Sequence, residues 1–471
     1  MRSLFRLLCA ALLLTARPVR AQTHPLGFDD VLVAGGLTQP TALVMTPSAK
    51  LLVGQRGGVI RVIDHGVLLP KPMLTLNVET FDEQGLLGLA LHPSYPASPY
   101  LFVFYTPFTG QQTGNFNRVA RFTIQADTVV AGSELLILGD IPSGLGFHIG
   151  GCLRTTADNR LWVSIGENGL GTLAPRQPSR LEGKLLRLNL DGSAPGDNPF
   201  YGVPGRRWEI YQMGLRNPFR FQVQPGTLQP FVNDVGSTQW EEVNRGPAGT
   251  DFGFPTYEGV VTSPPAGVVN PIYTYRTNGN GSITGSAFYT GTQFPAAYVG
   301  NYFFLDHSRG QIGRIVLDGA NNVVATTFPW GTTAGFGWGN GPVDLMMGIE
   351  GALYYTQYAG NQVRKITYGP QVGVGPQTPS PLSLQRPSPD PSEGPVALRF
   401  SLPASGRVQL RVFDVEGRIV RTIVQESRDA NTYTELWDGT DASGVTVPPG
   451  VYLARVEAGG AVRSQRLVRL R

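Results

Sequence analysis

The stretch PTALVMTPSAKLLVGQRGGVIRVIDHG, Pro40–Gly66, decides the fold. Two apolar runs, Ala42–Met45 and Leu51–Val53, flank a Thr-Pro-Ser turn. A glycine pair then leads into Val59-Ile60-Arg61-Val62-Ile63. Short apolar runs bounded by Gly, Pro, Asn and Asp read as β-strands. The scheme of strand, turn, strand and Gly-x-Ile/Val-x-Arg-like strand recurs. Further copies are Gly85–Thr106 continuing to Phe122, the segment around His148 ending at Leu188, and the stretch from Gly214. Two more are Ser282–Gly319 and Gly341–Gly369. Six units of roughly 40–60 residues with short strands predict an all-β, six-bladed β-propeller over residues 26–369. In such a fold, ligands are expected at the mouth of the central channel.

The chain of 471 residues, with 60 Gly and 38 Pro, offers few long stretches of helical period. It exceeds one ordinary domain. The first 21 residues read as a signal peptide. Arg2 and Arg6 precede or flank the apolar Leu7–Leu14, and Val19-Arg20-Ala21 forms a cleavage site. That apolar core is too short to span a bilayer, and no other run approaches the length, so an exported protein without a transmembrane segment is expected. The leader holds four Arg and no acid, so its removal takes the formal charge from +4 to zero. Nothing in that balance points to nucleic acid. Cys9 leaves with the leader, so Cys152 has no disulfide partner in the mature chain.

Residues 370–383 are rich in Pro and Gly, carry no charge and read as a linker. Beyond them Val396–Pro403, Val408–Val424, Thr432–Gly444 and Gly450–Gly460 alternate apolar and polar residues. That pattern predicts a small antiparallel immunoglobulin-like β-sandwich over residues 384–471.

Within FHIGGCLRTTADNRLWVSIGENG, residues 147–169, His148 stands before a glycine pair and Glu167 follows a predicted strand. Their separation is about one hairpin, so the side chains can meet. A carboxylate that orients a His is the usual design of a general base. The same residues also suit a surface-loop His and a turn Glu. Glu83 reads by itself as a solvated turn carboxylate. Arg216 reads as a blade-to-blade staple or as an anion grip.

These motifs resemble the soluble PQQ-dependent sugar dehydrogenases, the glucose/sorbosone dehydrogenase family. There the catalytic segment reads His-x-Gly-Gly-Arg-Leu, then a strand, then Gly-Asp. Here it is His148-Ile149-Gly150-Gly151-Cys152-Leu153, then Gly166-Glu167. The resemblance implies that His148 is the base, Glu167 its partner and Glu83 a substrate and cofactor contact. Gly214-Leu215-Arg216-Asn217-Pro218 is similar to the family's Gly-His-Arg-Asn-Pro, which implies that Arg216 and Asn217 hold the cofactor. Asp234–Glu242 and Asp251–Pro255 resemble its Asp-Val-Gly-x-x-x-Trp-Glu-Glu and Asn-Tyr-Gly-Trp-Pro motifs. Carbonyls of Gly236 and Ser237 would then hold a Ca²⁺ that also touches the quinone. Glu242, with the carbonyls of Phe252 and Glu258, would hold a structural Ca²⁺. Three departures stand out. Phe147 replaces an Asp, Cys152 replaces an Arg, and the family's Lys and two late Arg fall near Thr292 or Gln293, Gly341 and Val343, none of them basic.

The tail resembles flagellar hook-cap-like immunoglobulin-type modules, which also serve as sorting domains in type IX secretion. The matching pieces are Asp414–Arg418, Trp437–Asp441 and Gly450–Tyr452. Taken together, the resemblances imply an exported quinoprotein that oxidises the C1 hydroxyl of an aldose and passes electrons to an acceptor. Its tail would meet secretion machinery. The alternative is a non-catalytic extracellular propeller that binds a glycan or a protein.

Overall fold

A computed structural model describes residues 24–333, 341–369, 382–387, 390–402, 404, 406–428 and 432–470. The chain divides into two compact units, Met1–Pro370 and Gln371–Arg471. Apart from two single 3₁₀ turns, the regular structure among the described residues is β-strand. No helix among them is long and apolar enough to cross a membrane.

The apolar runs of the first unit form six antiparallel sheets of four or five strands each. The sheets begin with Pro40–Met45, Leu86–Leu91, Gly150–Thr156, Pro218–Val223, Ile283–Phe288 and Pro342–Met347. Each of these first strands packs against the first strand of the next sheet, and the last packs against the first. They therefore have protein on both sides, which is why Leu86–Leu91 and Ile283–Phe288 are buried at every residue. The sixth sheet takes its outer strand from the start of the chain. Phe28–Ala34 pairs antiparallel with Gln362–Tyr368, with Phe28 opposite Tyr368.

Hydrogen bonds tie the first strands to one another. Arg220 Nη2 donates to the carbonyls of Thr41 at 2.6 Å and Leu87 at 3.1 Å. Asp344 accepts from the Leu43 amide at 2.9 Å, and Thr284 Oγ1 donates to the Pro342 carbonyl at 2.9 Å. Two glycines allow the second and third sheets to approach. A Cβ on Gly88 would lie 2.1 Å from the Gly151 carbonyl oxygen, so no side chain fits there. Cys152 is a buried free thiol behind this seam.

The second unit contains a three-stranded sheet, Ser383–Leu384, Val396–Ser401 and Thr432–Trp437. It also has a four-stranded sheet of Ile419–Arg428, Gly406–Phe413, Gly450–Ala458 and Ala461–Arg469. Their shared core includes Val396, Leu398, Phe400, Leu410, Val456 and Trp437. Trp437 Nε1 donates to the Thr440 carbonyl at 2.8 Å. The aspartates of the tail motifs brace turns. Asp414 accepts from the amides of Glu416 and Arg418, and Asp441 from those of Ser443 and Val445.

Candidate active site

The site is assembled where the first strands of the sheets begin and where second strands turn into third ones. His148 lies two residues before Gly150–Thr156, Arg216 two before Pro218–Val223, and Glu83 three before Leu86–Leu91. Glu167 follows Arg160–Ile165, and Gly236 follows Pro230–Asp234. The topology thus brings to one end residues that are up to about 150 positions apart in sequence.

His148 and Glu167 meet: Nδ1 lies 2.5 Å from Oε1. Arg216 Nη2 lies 2.9 Å from the other ring nitrogen, Nε2. A guanidinium can only donate, so Nε2 accepts and the ring proton sits on Nδ1, facing the carboxylate. The side chain of His148 is 17% exposed and that of Glu167 4%, so the ring reaches solvent while its carboxylate does not. Burial works against ionisation of Glu167. The hydrogen bond from His148 and the amides of Gly171 and Gly169 outweigh it and hold the carboxyl below its ordinary range. Phe147 packs edge-on against the His148 ring, with centroids 4.7 Å apart.

The backbone of His148 is unusual, with φ at +55°. Glu83 Oε2 accepts from the amides of His148 at 2.8 Å and Ile149 at 3.4 Å. The Asn168 amide donates to the His148 carbonyl at 3.2 Å. Gly166 leaves room for that carbonyl, since a Cβ there would sit 1.9 Å from it. Burial raises Glu83, partly offset by His148 and by the two amides. The carboxylate of Glu83 is thus a clamp on the His148 backbone.

Asp234 holds the third corner. Its two oxygens accept from the amides of Arg216 at 2.9 Å and Asn217 at 2.7 Å. The Asn217 side chain in turn accepts from the Gly150 amide at 3.1 Å. Arg216 Nη1 donates to the carbonyls of Val235 at 2.9 Å and Gly236 at 2.7 Å. Arg56 adds a cation beside Glu83 by donating to the Asp82 carbonyl. Arg309, in the turn after Tyr302–Asp306, donates to the carbonyls of Arg276, Thr277 and Asn280. Arg314 lies elsewhere, on Asn301 and over the ring of Tyr298. Val343 is buried within its strand.

The remaining acidic residues gather near Gly236. Glu258 Oε1 accepts from the amides of Ser237, Thr238, Gln239 and Trp240, which keeps it below its ordinary range against the effect of burial. Glu242 accepts from the Gly259 amide and from Asn244 Nδ2. Phe252 is buried nearby in the sequence-adjacent loop, and its amide donates to the Met213 carbonyl. Burial pushes Asp234 well up and raises Glu242, and each is raised further by a neighbouring carboxylate, Glu242 and Glu258 respectively. Burial takes Glu241 up to about 8. Among the described residues, no three His, Cys, Asp or Glu side chains converge as a metal site by themselves.

Sequence reasoning singled out His148, Glu167, Arg216, Asn217 and Glu83, and the structure brings them together. It missed the clamp of Glu83 on the His148 backbone, and the part played by Asp234. The latter had a signal in the sequence, since Asp234 opens the segment compared with the family motif.

The family model described as Glucose / Sorbosone dehydrogenase matches residues 37–333, and that described as FlgD Ig-like domain matches residues 389–461. Quinoprotein glucose dehydrogenase B of Acinetobacter calcoaceticus is 31% identical over 49% of this chain. The chain spans 53% of that protein's length and 58% of that of a Synechocystis relative. A solved oxidoreductase of Thermus thermophilus, described as a glucose dehydrogenase, is 29% identical and superposes with a TM-score of 0.63, covering 72% of this chain and 100% of its own. The PQQ-bound aldose sugar dehydrogenase of Streptomyces coelicolor, at 22% identity and a TM-score of 0.60, covers 74% of this chain and 100% of its own, a likeness in fold.

Proposed function

The chain belongs to the glucose/sorbosone dehydrogenase family, and from that premise we propose that it is an exported quinoprotein that oxidises the C1 hydroxyl of an aldose with PQQ. The observation that carries the reading is the chain Glu167–His148–Arg216, in which Nδ1 of the ring meets a carboxylate and Nε2 faces a guanidinium. The six sheets, with their first strands in cyclic contact, support a closed six-bladed propeller over residues 26–369. Residues 370–383 then act as a linker, and residues 384–471 as the sandwich with a sorting role toward secretion machinery. The signal-like residues 1–21 support export.

The donor set suits a multiply charged quinone. Arg216 and Asn217 would hold it, with Arg56 and Arg309 as further cations at the same strand ends, partly replacing the cations missing near Thr292, Gln293, Gly341 and Val343. When bound, PQQ supplies the hydride acceptor. His148 Nε2 would take the substrate's hydroxyl proton, and Glu167 would keep the ring oriented and stabilise its charged form. Arg216 would turn from Nε2 toward the cofactor for this to occur. For Ca²⁺, the mutual repulsion of Asp234, Glu242 and Glu258 and the buried, unpartnered Oδ1 of Asn244 support a cation held by Glu242 with the carbonyls of Phe252 and Glu258. At the second Ca²⁺ position, formed by Gly236 and Ser237, the Gly236 carbonyl already accepts from Arg216.

The test is to add PQQ and Ca²⁺ to the purified protein and follow sugar-dependent dye reduction. His148→Ala should keep PQQ binding and lose about 10²–10⁴-fold in turnover. A wild type that binds no PQQ at micromolar concentration would sink this reading. It would favour the second one, a propeller that recognises a glycan or protein, which the non-basic Gly341 and Val343 support.

A further inference from the structure

A cavity lies at the opposite ends of the same strands. Its volume is about 420 Å³, and its wall draws on the last residues of all six first strands. Met45, Leu91, Val223, Phe288 and Met346 make most of it apolar, and Arg154 forms part of it. Three other polar side chains there each hold a hydrogen bond within the protein. Gln222 Nε2 donates to the Ser286 carbonyl at 3.0 Å, Thr155 Oγ1 to the Leu91 carbonyl at 2.7 Å, and His92 Nδ1 accepts from the Ser94 amide at 3.0 Å.

Arg154 differs. Across the six first strands the charged side chains are Arg154, Arg220 and Asp344, two cations to one anion. Asp344 is 1% exposed and already crowded with donors. Its Oδ1 accepts from Arg154 Nη2 at 3.1 Å and from the Leu345 amide, its Oδ2 from the Leu43 amide, and Arg220 Nε stands 3.3 Å away. Arg220 spends its outer nitrogens on the carbonyls of Phe219, Thr41 and Leu87. Arg154 donates only to the Leu153 carbonyl and Asp344, and its Nε has no partner in the structure. A cation in excess inside an apolar chamber is costly unless an anion meets it. Cys152 beside it does not provide one, because burial pushes its thiol up and keeps it neutral.

We propose that this chamber binds a small amphiphilic monoanion, its carboxylate on Arg154 and its hydrocarbon body along the apolar wall. Nη1 and Nη2 of Arg154 each spend one N–H on the protein and keep a second, on a side chain that is 16% exposed, and such a pair matches a carboxylate's two oxygens. The volume lies within the range of small-molecule sites. This inference stands apart from the redox reading, since the site lies at the other ends of the strands from His148.

Octanoate titrated into the full chain, followed by calorimetry and thermal shift, tests it. Saturable binding of octanoate is expected. Octanol, with the chain but no charge, and acetate, with the charge but no chain, should each bind at least about tenfold more weakly. Arg154→Met should cost octanoate affinity about tenfold or more. Arg220 remains on Asp344 in that variant, and Met346→Trp, which fills the chamber and leaves the ionic cluster intact, should also abolish binding. The proposal is overturned if the wild type shows no saturable octanoate binding, if octanol binds as well as octanoate, or if Met346→Trp binds unchanged.

Discussion

At the scale of single residues, Glu83 separates two roles that a carboxylate can play near the proposed base. A side chain that touched substrate alone would leave the His148 backbone free. Here Oε2 holds the amides on either side of the His148 Cα, at a residue whose φ is +55°. That conformation is uncommon for a non-glycine residue and needs support. Glu83→Ala should therefore lower turnover by about 10–100-fold, the kinetic equivalent of a charge-assisted hydrogen bond, with PQQ affinity little changed. Glu83→Gln keeps an accepting oxygen and should recover most of the loss. A Glu83→Gln variant as impaired as Glu83→Ala would exclude the clamp. Glu167 makes a different prediction. Its carboxyl lies below the ordinary range in the folded chain, so the unfolded state binds its proton first as pH falls. The stabilisation is present above the ordinary carboxylate pKa and is lost as pH drops through the depressed one. Melting curves of wild type and Glu167→Gln should differ by about 1–3 kcal/mol near neutrality and converge at acid pH. The meeting of His148 with Glu167 was legible in the sequence because hairpin spacing sets it. The bond from Arg216 to Nε2 was not, because it crosses from one sheet to the next.

At the scale of elements, the apolar runs and their breakers carried the strands, and the repeat carried their grouping. What remained hidden was the sixth sheet's outer strand. Phe28–Ala34 lies far in sequence from Gln362–Tyr368, and no local pattern announces their pairing. The glycine seam shows how one residue type sets the distance between elements. Gly88 faces the Gly151 carbonyl across two sheets, with no room for a methyl group. Backbone cannot swing aside as a flexible side chain can. Gly88→Ala should therefore destabilise the first unit by roughly 1–3 kcal/mol or more through overpacking, measured by urea unfolding. In the second unit Trp437 is fully buried against Phe400, Leu410 and Val456. Trp437→Ala should cost about 3–5 kcal/mol and act on that unit's transition. A shift of the first unit's transition by Trp437→Ala would show that the two do not melt separately.

At the scale of the whole molecule, the carboxylates near Gly236 decide what the first unit needs to be stable. Asp234, Glu241 and Glu242 are buried, and burial raises all three. A raised carboxyl sheds its proton later than in the unfolded chain, so the folded state loses stability as pH rises toward neutrality unless a cation compensates. A Ca²⁺ held through Glu242 would restore that loss and stabilise the native state by mass action, about 2.7 kcal/mol at a hundredfold excess over Kd. Thorough chelation should therefore lower the melting temperature of the first unit at neutral pH and leave the second unit's transition in place, since the acidic cluster belongs to the first alone. A chain ending at Gly369 should show the same response as the full chain, because the proposed ligands lie between Glu242 and Glu258. Glu242→Ala should remove the response. If Glu242→Ala still responds to chelator as the wild type does, the cation sits elsewhere. If the wild type keeps its melting temperature after metal removal at neutral pH, the repulsion among these carboxylates is relieved by protonation, and no Ca²⁺ is held there.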